Sequence, residues 1–306
     1  MTDTIEVVNP GALTSVQDSG RFGWAHLGVP TAGPADWLSH ALANLLVGND
    51  ATAAGLEATL LGPTLRPHVD TTLAVVGGMA TVDGEPMPAD TSFPVRAGQR
   101  VAVRVSGGAR AYLAVAGGIR TEPVLGSRAG DTFAGLGPAP LVRGDRLPVE
   151  AVSAPRRRLH RDLLPTSDGP LRVVLGPNDD WFEPDSVGDL LADPYTVSTS
   201  SNRVGVRLVG TPLRRARTGE LATSGMVTGA MQVPPDGQPI VLLANHGPTG
   251  GYPVVGVVAT VDLPRAGQVR PGGTLSFTAV SRDQAVAAYA ELRDAITRAI
   301  CADPSA

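Results

Sequence analysis

The sequence contains no lysine, so all 25 basic residues among its 306 are arginine. Three kinds of chemistry fall with that absence. A P-loop needs the lysine of its G-x-x-x-x-G-K motif to reach the phosphates. A Schiff base with substrate or pyridoxal phosphate needs an ε-amine. Covalent biotin is likewise attached to a lysine, so no covalent cofactor of these kinds is expected on this chain, and any biotin must arrive on a separate carrier. Cysteine is nearly as scarce: a single Cys301 builds no disulfide, CxxC pair or cysteine-rich zinc site, which suits a reducing compartment. Aromatic residues make up 4% of the chain and the net charge is −4. Neither the stacking platforms nor the basic excess of a nucleic-acid binder is present. No apolar run approaches a membrane span, and Met1-Thr2-Asp3-Thr4-Ile5-Glu6 lacks the basic start and apolar core of a signal peptide. A cytoplasmic protein with no nucleic-acid or membrane partner is expected.

What the chain has in quantity is glycine, at 37 residues, and proline, at 27. They fall between short runs rich in valine, leucine, isoleucine and threonine, the rhythm of a β-barrel or sandwich. Strands are predicted over 5–9, 56–60, 72–76, 100–105, 110–116, 172–175, 195–199, 205–209, 239–244, 254–260 and 274–280. No β-α-β rhythm runs through them, so the fold class expected is mainly β with a few short helices. One helix is predicted over 34–47, with Pro34 in its first turn, Trp37, Leu38, Ala41, Leu42, Leu45 and Leu46 on its apolar side, and Gly48 ending it. A C-terminal helix opens on the capping-box spacing of Ser281 and Gln284 and carries Ala285, Ala288, Tyr289, Leu292, Ala295, Ile296 and Ala299 at helical intervals. A shorter helix fits 184–192. The stretch 156–170 is poor in β-branched residues and reads as a linker, with an N-terminal domain over 1–155 and a C-terminal domain over 171–306. Its arginine run, Arg156-Arg157-Arg158, reads as a solvated charge run. Three similar passages, 95–101, 142–147 and 269–275, each read as a turn feeding a strand; two similar halves or a common hairpin turn both account for them.

Generic catalytic signatures are missing: there is no H-E-x-x-H, no G-x-S-x-G and no G-x-G-x-x-G between a strand and a helix. Two loop-like stretches dense in polar residues and glycine stand out instead, the places where a β scaffold displays binding groups. In the first, Gln17, Asp18 and Arg21 crowd an amide, a carboxylate and a guanidinium into five positions. Asp18 and Arg21 can orient a base and clamp an anion, or they can simply lock a turn. The second runs from Gln232 through Asp236 and Gln238 to Asn245, His246, Thr249, Gly250, Gly251 and Tyr252. Its side-chain amides can grip an amide substrate, and the Gly250-Gly251 backbone can approach a ligand closely. For Pro235 and Gly237 an ordinary β-turn is the favoured reading, which leaves Asp236 open. Arg203 starts a strand after the polar turn Ser200-Ser201-Asn202; alone it reads as a surface residue, and His246 alone as a structural one.

Several passages together resemble the carboxyltransferase-like family that includes allophanate hydrolase subunit 2, the kinase-inhibitor antagonist and the 5-oxoprolinase C subunit. They are Gly11 to Gly23, with Thr14, Val16, Gln17, Asp18, Gly20 and Arg21 in the family's order, then His26 to Pro30, Leu45 to Asn49, Ala111 to Ile119, Val124 to Arg128, Ser201 to Arg207, and Gln232 to Pro253. The chain departs from the family where Asn245 stands in place of an aspartate and Val254 in place of a lysine. The resemblance implies two cyclophilin-like β-barrel domains. It also implies a heteromeric complex with an allophanate hydrolase subunit 1 or kinase-inhibitor-like partner, joined in 5-oxoprolinase by its LamB/YcsF-type component.

Three functions follow from the resemblance. The first is ATP-dependent opening of 5-oxoproline to glutamate, with ATP and magnesium shared with the partner. Charge must then be stabilised on an amide oxygen and a transferring phosphoryl group. Asp18, Arg21, Arg203 and Asp236 are the candidate catalytic residues, and Gln17, Gln232, Gln238, Asn245, His246, Thr249, Gly250, Gly251 and Tyr252 the candidate binding residues for a small amide substrate; no metal ligand set is assigned. The second is carboxyl transfer from carboxybiotin on a separate carrier to urea or another amide. The third is a non-enzymatic antagonist of a sensor-kinase inhibitor.

Overall fold

A computed structural model describes residues 3–165, 168–217, 219 and 221–302. The chain divides into two compact units, one of residues 1–21, 32–164 and 295–306, the other of residues 22–31 and 165–294. Among the described residues the fold is mainly β with four α-helices: α1 (Trp37–Leu46), α2 (Pro184–Ala192), α3 (Leu263–Gln268) and α4 (Arg282–Ala299).

The first unit contains a six-stranded sheet, in the order 146–148, 4–9, 64–67, 101–105, 78–82 and 85–86, and a five-stranded sheet, in the order 13–17, 55–59, 110–115, 71–76 and 92–95. Residues from both sheets share one core, including Ile5, Val7, Leu65, Val101 and Val103 from the first and Val16, Leu56, Leu73, Phe93 and Leu113 from the second. Full burial of each large apolar side chain contributes roughly 1.5–3 kcal/mol. Strands Thr71–Val76 and Arg110–Val115 are buried along their whole length because they have apolar layers on both faces. Leu73, Val75, Leu113 and Val115 face the common core, while Ala74, Val76, Tyr112 and Ala114 pack against Leu42, Ala43 and Leu46 of α1. That is why these two runs are continuously apolar rather than alternating.

In the second unit a single sheet of eight strands runs in the order 274–275, 195–197, 205–209, 240–242, 230–232, 254–258, 171–175 and 277–279. Its two outermost strands are consecutive in the chain, separated only by Ser276, so the sheet closes on itself there. The Leu171 N–H donates to the Ser276 carbonyl at 2.7 Å at that closure. Tyr195 and Phe277, both buried, meet inside it with ring centroids 6.3 Å apart. The class and barrel architecture expected from the sequence are therefore present.

All eleven expected strand segments carry strand, with ends within two residues of those read, and the last is split at Ser276. Strands 13–17, 64–67, 78–82, 92–95 and 230–232 were not anticipated, since each is short and interrupted by polar residues or proline. The three turn passages behave alike: Gly98, Gly144 and Gly272 all take positive φ (86°, 93° and 82°) and a strand follows each, a conformation that favours glycine. Helix α1 begins later than read, because the Asp36 carboxylate caps it by accepting from Ser39 N at 2.9 Å. Its buried side keeps Leu42 and Leu46 of those expected and adds His40, Ala43 and Asn44, while Trp37, Leu38, Ala41 and Leu45 are half-buried, Leu38 still packing against the core. Helix α4 has its capping box, with Ser281 N donating to Gln284 Oε1 at 2.8 Å and Gln284 N to Ser281 Oγ at 3.2 Å.

Part of the stretch read as a linker is ordered structure. Arg157–Leu159 pairs antiparallel with Ile300–Ala302. Arg157 donates to the Leu45 carbonyl at the end of α1 at 3.0 Å, and Arg161 forms a two-pronged ion pair with Asp90 at 2.6 Å. Arginine near a helix C-terminus satisfies its open carbonyls and its dipole, so these side chains are not merely solvated. Thr166 and Ser167 of the same stretch lie outside the described residues.

Candidate functional sites in each unit

The first polar cluster follows strand Leu13–Gln17, and all three of its side chains grip one segment, 124–130. The Gln17 amide, fully buried, donates from Nε2 to the Gly130 carbonyl and to Ser15 Oγ, both at 2.9 Å. Asp18 accepts three hydrogen bonds: from Gly20 N at 2.9 Å, from Ser127 Oγ at 2.6 Å and from Arg128 N at 2.5 Å. The Arg21 guanidinium is buried and donates to the Ala129 carbonyl and, at 3.5 Å, to the Val124 carbonyl. Burial pushes its pKa down, while the carboxylates of Asp131 and Asp18 pull it up. With its acceptors committed in this way, Asp18 is placed to hold the 124–130 segment. Gln17 Oε1 and Arg21 Nη1 are buried without a hydrogen-bond partner among the described residues.

Next to this cluster lies a buried polar network that the sequence did not suggest. Glu57, at 1% exposure, accepts from the Tyr112 hydroxyl and from Ala35 N, both at 2.8 Å, and faces Arg110 at 3.4 Å. Tyr112 in turn accepts from Asp36 N at 2.8 Å. His40 lies edge-on to the Tyr112 ring and bonds the Gln17 carbonyl through Nε2 at 3.0 Å. A glutamate inside a strand that is otherwise buried was the available signal, but it needs the cross-strand register of Glu57 with Tyr112 to be read.

Burial holds the His40 pKa below the ordinary histidine value and the Tyr112 pKa well above the ordinary tyrosine value, with Glu57 adding to the latter. Below pH of about 6.5 the unfolded chain therefore takes up a proton at position 40 that the folded chain resists. Above pH of about 10 the folded chain keeps a proton at Tyr112 that the unfolded chain releases. Stability is expected to fall on both sides, approaching a slope of roughly 1.4 kcal/mol per pH unit per group. Urea midpoints measured from pH 5 to 11 check this; a flat profile between pH 9 and 11 would contradict the alkaline limb.

In the second unit, strands 205–209, 240–242 and 230–232 run side by side and carry the second cluster on the loops at their ends. Arg203 donates from Nη2 to Asn245 Oδ1 at 2.9 Å, and Asn245 N returns a bond to the Arg203 carbonyl at 3.0 Å. Both residues are buried. The adjoining His246 is also buried, with Nδ1 2.7 Å from the Gly247 carbonyl. That carbonyl can only accept, so Nδ1 carries the hydrogen and Nε2 presents a lone pair. Burial holds the His246 pKa below the usual value. Gln232 reaches Met226 Sδ at 3.3 Å, and a Cβ at Gly250 would collide with the Gln232 amide. The Thr249–Gly250 strand pairs antiparallel with Ser224–Gly225.

These groups adjoin a cavity of about 200 Å³ whose wall includes Val29, Thr31, Met226, Val227, Thr228 and His246. Among the residues of this cavity, the sequence had singled out His246, and Val29, Pro30 and Pro248 through the passages His26 to Pro30 and Gln232 to Pro253. Gly251 and Tyr252 are exposed. Asp236 and Gln238 lie elsewhere in the unit, at a separate depression beside Ser198, Ser200 and Arg207. The exposed Asp236 caps the Gln238 N–H at 3.0 Å, and the Gln238 amide clasps the Gly210 backbone at 2.9 and 3.1 Å. Among the described residues no three His, Cys, Asp or Glu side chains gather as a metal site, and no helix is long and apolar enough to cross a membrane.

A model of the carboxyltransferase domain, subdomain A and B, matches residues 27–279. The chain belongs to that family. It is 35% identical over 290 residues to the 5-oxoprolinase C subunit of Escherichia coli, covering 93% of this chain and 94% of that one. It is also 33% identical over 305 residues to urea amidolyase of Saccharomyces cerevisiae, covering 90% of this chain but 17% of that longer protein. Among solved structures, the Kluyveromyces lactis urea carboxylase matches 97% of this chain and 29% of that one, with a TM-score of 0.88 and 31% identity. Within this family's matched span lie Arg203, Gln232, Asn245, His246 and the Thr249–Tyr252 turn. Gln17, Asp18 and Arg21 precede it.

Proposed function

We propose that this chain is one component of an ATP-dependent amide-activating enzyme that opens 5-oxoproline to glutamate. Its partners in this reading are an allophanate hydrolase subunit 1-like (kinase-inhibitor-like) protein and a LamB/YcsF-type protein. The observation that carries the reading is the 35% identity to the 5-oxoprolinase C subunit over almost the whole of both chains. The second unit supports it chemically. Opening a lactam requires charge to be held on an amide oxygen as the carbonyl is attacked, and the buried Arg203–Asn245 pair, the Gln232 amide and the Thr249–Tyr252 turn are the groups this chain offers for it. Asp18 and Arg21 are positioning residues here, holding the segment beneath which they are buried. No chemistry is assigned to Asp236 or Gln238.

ATP would supply the phosphoryl group that activates the carbonyl. In this reading nucleotide and magnesium are held at a surface shared with the partner. A second reading, carboxyl transfer from carboxybiotin on a separate carrier, draws support from the likeness to urea carboxylase.

One parallel assay separates the two. The chain is co-purified with both partner proteins and offered ATP with either 5-oxoproline or urea, with and without a biotinylated carrier. ADP release that depends on 5-oxoproline is expected. Turnover only with urea and the biotinylated carrier would replace the first reading with the second, and no turnover with either would end both.

A further inference from the structure

The cavity beside His246 has a composition that selects among amides. Its volume of about 200 Å³ corresponds to roughly seven waters at ~30 Å³ each, room for a ligand of a single small ring. Much of its wall is apolar, from Val29, Pro30, Met226, Val227 and Pro248, and its polar side chains are Thr31, Thr228 and His246. The His246 ring is fixed by its Nδ1 bond to the Gly247 carbonyl, and Nε2 has no protein partner among the described residues. Wall and ring thus combine an apolar surface with one acceptor nitrogen and two hydroxyls.

Resting on the proposed function, the geometry points to this cavity as the seat of a five-membered lactam ring, with His246 Nε2 accepting the ring N–H and the ring methylenes against Val29, Met226 and Val227. A lactam presents one N–H donor, one carbonyl acceptor and an apolar edge. His246 matches the first, a threonine hydroxyl the second and the aliphatic wall the third. Urea presents four N–H bonds and no apolar edge. In this cavity, whose rim includes the exposed Val227 and Thr228, urea would find a single acceptor nitrogen for its donors and leave the aliphatic wall unmatched. Burial also keeps His246 neutral at ordinary pH, the form in which Nε2 accepts rather than donates. The cavity is therefore a determinant of substrate class, and His246 a substrate-contacting residue whose role is set by its tautomer.

The test uses the full chain with ¹⁵N-labelled histidine, the His246 resonances being assigned by their loss in His246→Gln. The probes are 5-oxoproline, 2-pyrrolidinone and urea. Both lactams are expected to shift the His246 Nε2 resonance saturably, and urea at equal concentration to leave it in place. Val227→Trp, at an exposed position of the cavity wall, should abolish the shift and raise KM for 5-oxoproline at least tenfold in the assembled complex. Thr228→Val, nearly isosteric, should raise it less. An equal shift with urea, or an unchanged shift and KM in Val227→Trp, would overturn the assignment. The two levels of proposal fail separately. Lactam shifts without 5-oxoproline-dependent ADP release would defeat the enzyme reading and keep the cavity. ADP release with an unchanged KM in Val227→Trp would defeat the cavity and keep the enzyme.

Discussion

Replacing Asp18 by alanine is expected to lower the stability of the first unit by about 3 kcal/mol or more. The carboxylate satisfies Gly20 N, Ser127 Oγ and Arg128 N at once. Alanine would leave three donors without their acceptor at the foot of a buried segment, and each orphaned donor costs roughly 1–3 kcal/mol. The Arg21 guanidinium, buried among carbonyls, would also lose one of the two carboxylates that offset its burial. Urea denaturation of the full chain measures the loss, and limited proteolysis should show earlier cleavage within 122–137. Asp18→Asn should recover only part of the loss, because its amide presents one acceptor where the carboxylate presents two. If Asp18→Ala unfolds within about 0.5 kcal/mol of the parent, the ordinary range for a surface change, yet turns over no substrate in the complex, then Asp18 contacts substrate and the positioning role assigned to it is wrong.

Arg203→Met is expected to act on turnover. In the assembled complex, removing the guanidinium should cut kcat for 5-oxoproline-dependent ADP release by on the order of 100-fold or more, the usual result of deleting a preorganised group that stabilises developing charge. Arg203→Lys should restore only part of it. Lysine brings the charge but lacks the planar fork that can hold Asn245 Oδ1 and a substrate oxygen together. The Asn245 bond also ties the two loops, so circular dichroism and co-purification with the partners must accompany the kinetics. A variant that folds, assembles and keeps its kcat would remove Arg203 from the site.

The strands and helices were readable because burial leaves periodic traces. The long apolar side of α4 and its Ser281–Gln284 capping box needed only local spacing, and the runs 71–76 and 110–115 stood out because both faces are covered. Short strands such as 92–95 and 230–232 left no trace of that kind: each exists through its neighbours' register rather than its own pattern. The candidate sites divided in the same way. Polar density in the loops led to Gln17, Asp18, Arg21, Asn245 and His246, but whether a carboxylate meets a ligand or holds a turn depends on partners far away in sequence. Ser127 and Arg128, which occupy Asp18, stand more than a hundred residues from it. Met226, Val227 and Thr228 carried no such signal, because a cavity is a property of what surrounds it. Glu57 was hidden for a similar reason, its neutralising company of Tyr112, Ala35 and Arg110 being assembled from other segments of the chain.

The meeting of the first and last strands of the eight-stranded sheet at Ser276 also limits how that unit can be recognised. A sheet whose outermost strands are short and joined end to end leaves little of the row of unpaired amides and carbonyls that another chain could extend. Recognition by strand addition finds little purchase on that sheet, and so does the commonest route by which β proteins stick to copies of themselves. Another polypeptide would grasp that sheet mainly through side chains and loops.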